Sequence, residues 1–257
     1  LQMGFGFYND AITGLAHTLY NVERNAPFFF VNQALRDLTS EIPVYVIGNG
    51  PSLDEAEELI KATKEGAIVI AAGSALNSLL KMGIEPDFHV LVERPRGNYD
   101  ILVDTLPKEA YANLNLLAVD VIYPDTLDLY KWTGLSLKGP EAGSELMNML
   151  SLTKFGGPMN SLPFCAPMVA NTALSFALMF GFKNVYLFGV DNGYSMEGDS
   201  HSKYAMYNEK DTVYESVVDK NAPHIMDANF GKQVKATSLL KLAKVQMDGL
   251  LNLVPDI

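Results

Sequence analysis

Apolar residues recur along this chain in two rhythms, short unbroken runs and longer stretches spaced by three or four, and the alternation of the two predicts the elements. Residues 7–24 and 28–38 have helical spacing, with Ile12, Leu15, Ala16 and Leu19 on one face and Pro27 between the two segments. Tyr45-Val46-Ile47 is a short apolar run that ends at Gly48-Asn49-Gly50-Pro51-Ser52, and Leu53, Ala56, Leu59 and Ile60 then recur as the inner face of a helix to about Lys64. Ala67 to Ala72 is a second run, as expected of a strand buried on both faces of a parallel sheet, followed by a helix from Ala75 to Met82 that stops at Gly83. Phe88–Val92 and Leu114–Val119 read as further strands, and Leu135–Lys138 as a possible short one. Glycine, proline and small residues from Lys154 to Pro167 mark a long loop, a length that is uncommon unless functional. An apolar helix then reaches Phe180, and Asn184–Phe188 is expected to be another buried strand. Residues 195–232, polar and rich in tyrosine, read as a surface excursion or lid, and a last helix is expected from Gln233 to Leu251.

Strands alternating with helices imply an α/β fold with a doubly wound, Rossmann-like, mostly parallel sheet, preceded by a helical lead-in over 1–41 and occupying 42–257. Ligands of such sheets sit beyond the carboxyl ends of the strands. Candidate site residues are therefore sought at Gly48–Ser52, Gly73–Asn77, Glu93–Arg96 and Gly189–Tyr194.

The first glycine turn is the strongest of these. Gly48 and Gly50 allow a ligand to approach the main chain, and Asn49 between them can donate and accept. Pro51 and Ser52 open a helix whose free N–H groups would face an anion the size of a phosphate. The alternative is an ordinary capped turn, with Ser52 and Glu55 forming a capping box.

Composition narrows the chemistry. The 257 residues suffice for one substantial core, and the net charge of -11 argues against a nucleic-acid or anionic-membrane surface, both of which need a dense basic face. Cys165 is the only cysteine, so no internal disulfide forms and a reducing, cytoplasmic setting is expected. No signal peptide and no apolar run of spanning length is visible, and a start at Leu1 suggests a piece of a longer protein. No His-x-His, paired-cysteine or Asp-x-Asp cluster is present, so no metal site is expected.

Four stretches together resemble the central domain of the motility associated factor (Maf) glycosyltransferases, a bacterial family that modifies flagellin. They are Val46–Leu53, Ala71–Asn77, Gly83–Glu93 and Phe188–Tyr194 leading to His201, and the resemblance spans roughly residues 25–251. That domain is similar to bacterial sialyltransferases that use a cytidine monophosphate (CMP) sugar, and Asn171–Phe180 with Gly181–Asp191 resembles their nucleotide-binding helix and strand. The resemblance implies a sialyltransferase-like fold and transfer of a nonulosonic acid, such as pseudaminic, legionaminic or a sialic-acid-like sugar, from CMP to a Ser or Thr hydroxyl of flagellin or a related acceptor. It places Tyr194 and Tyr204 near the two tyrosines that hold the leaving phosphate.

In such a transfer the phosphate leaves as an oxocarbenium-like sugar forms. N–H groups of Gly50–Ser52 and the phenols of Tyr194 and Tyr204 are expected to stabilise it, one such donor being worth roughly 3 kcal/mol, so no cofactor is required. The acceptor hydroxyl needs a base that titrates near neutrality. His201 is the first candidate and His224 the second, whereas His89 inside a strand reads as a core or pocket histidine and His17 receives no role. Asn77, Asn171 and Thr172 suit base and ribose hydroxyls, Ser74 could reach a phosphate, and Asp191 could bind ribose or orient a base. Ser74 and Asn171 could equally cap helices. Glu93 could orient the acceptor or a sugar hydroxyl, and Arg94, Arg96 or Lys203 could hold the sugar carboxylate or pair with Glu93 and Asp191. Two other readings are a hydroxymethylpterin pyrophosphokinase, whose diphosphate chemistry calls for clustered carboxylates after the third strand, and a non-catalytic nucleotide-binding module.

Overall fold

The computed structural model describes residues 8–30, 32–195, 198, 200–208 and 222–254. In chain order the elements are α1 (Tyr8–Glu23), α2 (Gln33–Thr39), β1 (Pro43–Ile47), α3 (Leu53–Thr63), β2 (Ile68–Ala72), α4 (Ala75–Lys81), β3 (Phe88–Leu91), α5 (Arg96–Thr105) and α6 (Lys108–Tyr111). There follow β4 (Asn115–Val119), β5 (Trp132–Ser136), α7 (Ala142–Phe155), α8 (Val169–Phe180), β6 (Asn184–Phe188), β7 (His224–Asp227), β8 (Gln233–Ala236) and α9 (Ser238–Asn252). This is the doubly wound, Rossmann-like α/β class: six parallel strands in two runs of three, with helices between them.

Contacts divide the chain into two compact units, one built from Leu1–Gln33 with Phe88–Pro163, the other from Ala34–Asp87 with Phe164–Ile257. In the second unit β1 lies between β2 and β6, with Val44 opposite both Ile68 and Val185. Val44, Val46 and Ile47 are fully buried because α8 packs over β1 and β2 while α4 covers β2. Helix α8 is buried over all of Asn171–Phe180, which is why its sequence is apolar on every side. It ends at Gly181, which is left-handed at φ 96°, and a Cβ there would lie 2.6 Å from the Arg36 backbone. Only glycine meets both conditions.

In the first unit β4 lies between β3 and β5, and the interior holds a polar centre. Asp120, buried at the end of β4, accepts from Thr18 Oγ1, Ser144 Oγ and the Lys138 N–H at 2.8–3.2 Å. Burial raises its pKa, and these three donors oppose the shift. The network fastens α1 and α7 to β4, and Gly143 is required where its Cβ would strike Thr18 Oγ1 at 2.2 Å.

Several elements depart from expectation. Helix α1 buries Gly14, Thr18 and Asn21 against this polar centre, while Ile12 and Leu19, which share one apolar face, are exposed. Strand β6 is the outer member of its run, and Tyr186 and Leu187 are exposed where a buried strand was expected. The fifth strand spans Trp132–Ser136 rather than 135–138. Gln233–Ala236, expected as the start of the last helix, is β8, paired antiparallel with β7, and α9 starts only at Ser238. Helices α5 and α7 were not anticipated. Among the described residues no helix is long and apolar enough to cross a membrane.

Candidate functional site

The site lies within the second unit, where β1 and β6 end side by side. The Gly48 N–H donates to Phe188 O and the Gly50 N–H to Gly189 O, both at 2.8 Å, so the parallel pairing runs past the strands into the turns. A Cβ at Gly48 would lie 2.4 Å from Gly189 O, and one at Gly189, itself left-handed at φ 62°, would lie 2.4 Å from Gly48 O. Two glycines facing each other thus let two turns cross at backbone distance.

That crossing brings Asp191 to the start of α3. Its Oδ2 accepts from the Ser52 N–H at 2.9 Å, and a Cβ at Gly50 would sit 2.2 Å from the same oxygen. The Ser52 side chain makes no capping bond, so the expected capping box with Glu55 is replaced by a carboxylate from 139 residues away. The donors expected to form a phosphate cradle at Gly50–Ser52 are engaged within the chain in this geometry. The Gly50 donor serves Gly189, the Ser52 donor serves Asp191, and Pro51 has none.

Asn49 acts as a clamp. Its Nδ2 donates to Ser74 Oγ at 3.0 Å, its Oδ1 accepts from Ser78 Oγ at 2.6 Å, and its carbonyl accepts from the Ser202 N–H at 3.0 Å. One amide therefore joins the turn after β1, the start of α4 and the loop around residue 202. The Lys203 N–H and Ser202 Oγ both donate to Asp54, and Tyr204 donates its hydroxyl to Glu57 Oε2 at 3.1 Å. These bonds lay residues 202–204 along α3, and they place His201 at the cavity wall and Tyr204 away from it.

The cavity has a volume of about 350 Å³. His201 stands in its wall with Nδ1 3.0 Å from Ser200 Oγ and its ring 4.7 Å from the ring of Tyr207. Burial lowers its pKa from the ordinary 6.5, so the imidazole is neutral at pH 7. Met168, Val169 and Ala170, the start of α8, form another wall. Met168 is extended (φ -100°, ψ 150°) and gives no side-chain cap; its carbonyl takes the Asn171 and Thr172 N–H groups, so Val169 and Ala170, which line the cavity, carry the N–H groups left over at the positive end of α8. At the start of α9 the Thr237 side chain already accepts from the Leu240 N–H, and Leu239 and Leu240 add apolar surface. Tyr194 is held by two backbone bonds to Lys235, each 2.9 Å, where a Cβ on Gly193 would collide with Val234.

Of the residues expected at the site, Gly48, Asn49, Gly50, Ser74, Asp191, Tyr194 and His201 line this cavity together. Pro51 and Ser52 fall just outside, and Tyr204 is turned onto α3. Asn171 and Thr172 are buried in the core, donating to Ala243 O and Cys165 O, and so cannot read a base or ribose in this arrangement. Asn77 is buried on α4, away from the cavity. His224 lies on β7 beside Ser238 Oγ and does not line the cavity either. Glu93 belongs to the other unit. The three candidate cations are engaged elsewhere: Arg94 pairs with Asp10 and Glu141, Arg96 with Asp100, and the Lys203 ammonium lies 4.8 Å over the Tyr204 ring. Among the described lining residues Asp191 is the one carboxylate, and none is Lys or Arg. Sequence reasoning missed Tyr207, Ser200 and the starts of α8 and α9; Tyr207 follows Tyr204 by three residues in a tyrosine-rich stretch, which was its available signal.

A family model described as "6-hydroxymethylpterin diphosphokinase MptE-like" matches residues 17–197, more than half of the chain. Among solved structures, that of a Maf glycosyltransferase from Magnetospirillum magneticum AMB-1 superposes with a TM-score of 0.75 at 24% identity. The match covers 97% of this chain and 35% of that one, so the chain spans about a third of that protein's length and shares its fold. No match was found among curated proteins.

Proposed function

We propose that this chain, which belongs to the 6-hydroxymethylpterin diphosphokinase MptE-like family, is a glycosyltransferase module that takes a CMP-activated nonulosonic acid as donor and a protein Ser or Thr hydroxyl, such as one of flagellin, as acceptor. The carrying observation is a half-buried histidine, His201, whose pKa burial lowers, in the wall of the same cavity as the start of α8, which no side chain caps. One group suits a hydroxyl proton and the other a departing phosphate. Likeness of fold to a Maf glycosyltransferase supports the reading.

The phosphate seat moves from α3 to α8 in this scheme. The Val169 and Ala170 N–H groups at the start of α8 and the phenols of Tyr207 and Tyr194 donate to the phosphate as the bond from the sugar's anomeric carbon to the phosphate oxygen breaks. The acceptor oxygen then bonds to that carbon, its proton passes to His201, and CMP leaves with the bonding electron pair. No step is assigned to a cofactor. Among the described lining residues none is Lys or Arg, which suits a donor carrying a single phosphate charge better than one carrying a triphosphate. The protein is proposed to act in the cytoplasm, where Cys165 remains a buried thiol.

The family description favours a second reading, transfer of a diphosphate to a hydroxymethylpterin. That reaction concentrates far more negative charge, whereas the described lining residues offer one carboxylate for a divalent cation, already bonded to the Ser52 N–H. Calorimetric titration with CMP, with ATP and Mg²⁺, and with hydroxymethylpterin separates the readings. CMP is expected to bind most tightly. Tighter binding of ATP or the pterin overturns the glycosyltransferase reading, and CMP binding without turnover of any CMP-sugar reduces the chain to a nucleotide-binding module.

A further inference from the structure

His201 stands between two serines, and each holds a different part of it. Ser202, fully buried, fixes the backbone: its N–H donates to Asn49 O at 3.0 Å, its hydroxyl to Asp54 Oδ1 at 2.5 Å, and its carbonyl accepts from the Ala205 N–H and from Asn208 Nδ2. Ser200 meets the ring, with Oγ 3.0 Å from Nδ1, and the ring of Tyr207 packs against the imidazole at 4.7 Å. Among the described residues Nε2 has no partner, so it is the nitrogen left for the cavity that His201 lines.

We infer that Ser200 is the positioning residue of this histidine: its Oγ accepts from Nδ1–H, and Nε2 is thereby the atom that takes the proton of the acceptor hydroxyl. The catalytic meaning rests on the glycosyl transfer proposed above; the tautomer stands without it. A neutral imidazole carries one proton, and a serine hydroxyl can meet Nδ1 either as donor or as acceptor. If the serine donates, the Nδ1 lone pair is spent, Nε2 carries the hydrogen, and the ring offers no base to a substrate. If the serine accepts, Nε2 is bare. Only this second arrangement outlasts the proton transfer, because an imidazolium donates from both nitrogens and Ser200 Oγ must then accept. The hydroxyl also gives the charged ring a partner in a half-buried place, where an unpaired Nδ1–H would be costly.

Nitrogen-15 NMR of the imidazoles in the whole chain tests the assignment. Of the four histidines, His201 is identified as the one whose signals vanish in His201→Gln. Above neutral pH its Nδ1 is expected to carry the proton and its Nε2 to be bare. Ser200→Ala is expected to shift the proton to Nε2 with an unchanged melting temperature, and Ser200→Thr, which keeps a hydroxyl, to hold it on Nδ1. With a CMP-activated nonulosonic acid and an acceptor protein, Ser200→Ala is expected to lower kcat on the order of tenfold at nearly constant KM, part of what loss of the base itself costs, and Ser200→Thr to restore most of it. A native His201 with its proton on Nε2 overturns the inference, and this reading needs no variant to fold. So does a tautomer that Ser200→Ala leaves unmoved. Nδ1–H that depends on Ser200, found in a chain that turns over no CMP-sugar, supports the tautomer and removes only the reaction.

Discussion

One helix start lines the cavity and another lies just outside it, and they differ in what satisfies them. The first turn of α3 follows a glycine-rich turn and looks from its sequence like the place for an anion, yet Asp191 supplies that anion from within the chain. The start of α8 has no glycine signature, and nothing in its side chains caps it. A helix dipole near a ligand acts only through donors that the protein has left unspent. The glycines of the first turn serve the crossing of two backbones and the admission of Asp191, so the turn shapes the cavity while α8 faces it.

The largest effect that would sharpen this contrast is at Gly48. Its Cβ would meet a backbone carbonyl, which cannot swing aside, so Gly48→Ala is expected to cost about 3 kcal/mol of stability and to abolish CMP binding. Urea denaturation and calorimetry check both. Next is His201→Ala, expected to lower turnover on the order of a hundredfold with CMP affinity nearly unchanged, as loss of a general base does. Equal turnover would detach the histidine from the chemistry and leave the cavity as a binding site alone. The pH profile follows from the lowered pKa. Turnover is expected to rise through a value below 6.5 as the imidazole loses its proton and then to stay flat across neutrality. The same shift favours folding above the unfolded pKa of about 6.5, and that contribution disappears as pH falls through the folded value.

How much of this was legible in the sequence depended on whether the deciding contact was local. Strands β1 to β4 could be read because strands covered on both faces must be continuously apolar. Helix α1 could be read as a helix, but spacing says nothing about which face is covered, and the buried polar centre at Asp120 decides it. Helix α7 escaped notice because Met149 and Leu152 are exposed while Ser144 and Ser151 are buried, which blurs any apolar face. The cavity's position beyond β1 and β6 was legible from the alternation of strand and helix. The bond from Asp191 to Ser52 was not, since no local pattern announces a cap 139 residues away. Asn171 and Thr172 show the opposite error, polar side chains read as ligand contacts that serve instead to satisfy backbone carbonyls inside an all-buried helix.

Smaller effects break the comparison most cleanly. Asp191→Asn keeps an oxygen for the Ser52 N–H but removes the one carboxylate charge among the described lining residues, and stability should fall by less than about 1 kcal/mol. Affinity for CMP should increase on the order of fivefold, the Coulombic relief expected across a solvated cavity, and the gain should shrink in high salt. An affinity that falls instead would mean that Asp191 binds the ligand. The smallest effect expected is at Ser52 itself, whose hydroxyl caps nothing and lies outside the cavity. Ser52→Ala should change stability by less than about 0.5 kcal/mol and leave CMP affinity as it was. If instead that substitution weakens CMP binding tenfold, the ligand reaches α3 after all, Asp191 must give way when it arrives, and the two helix starts exchange the roles assigned to them here.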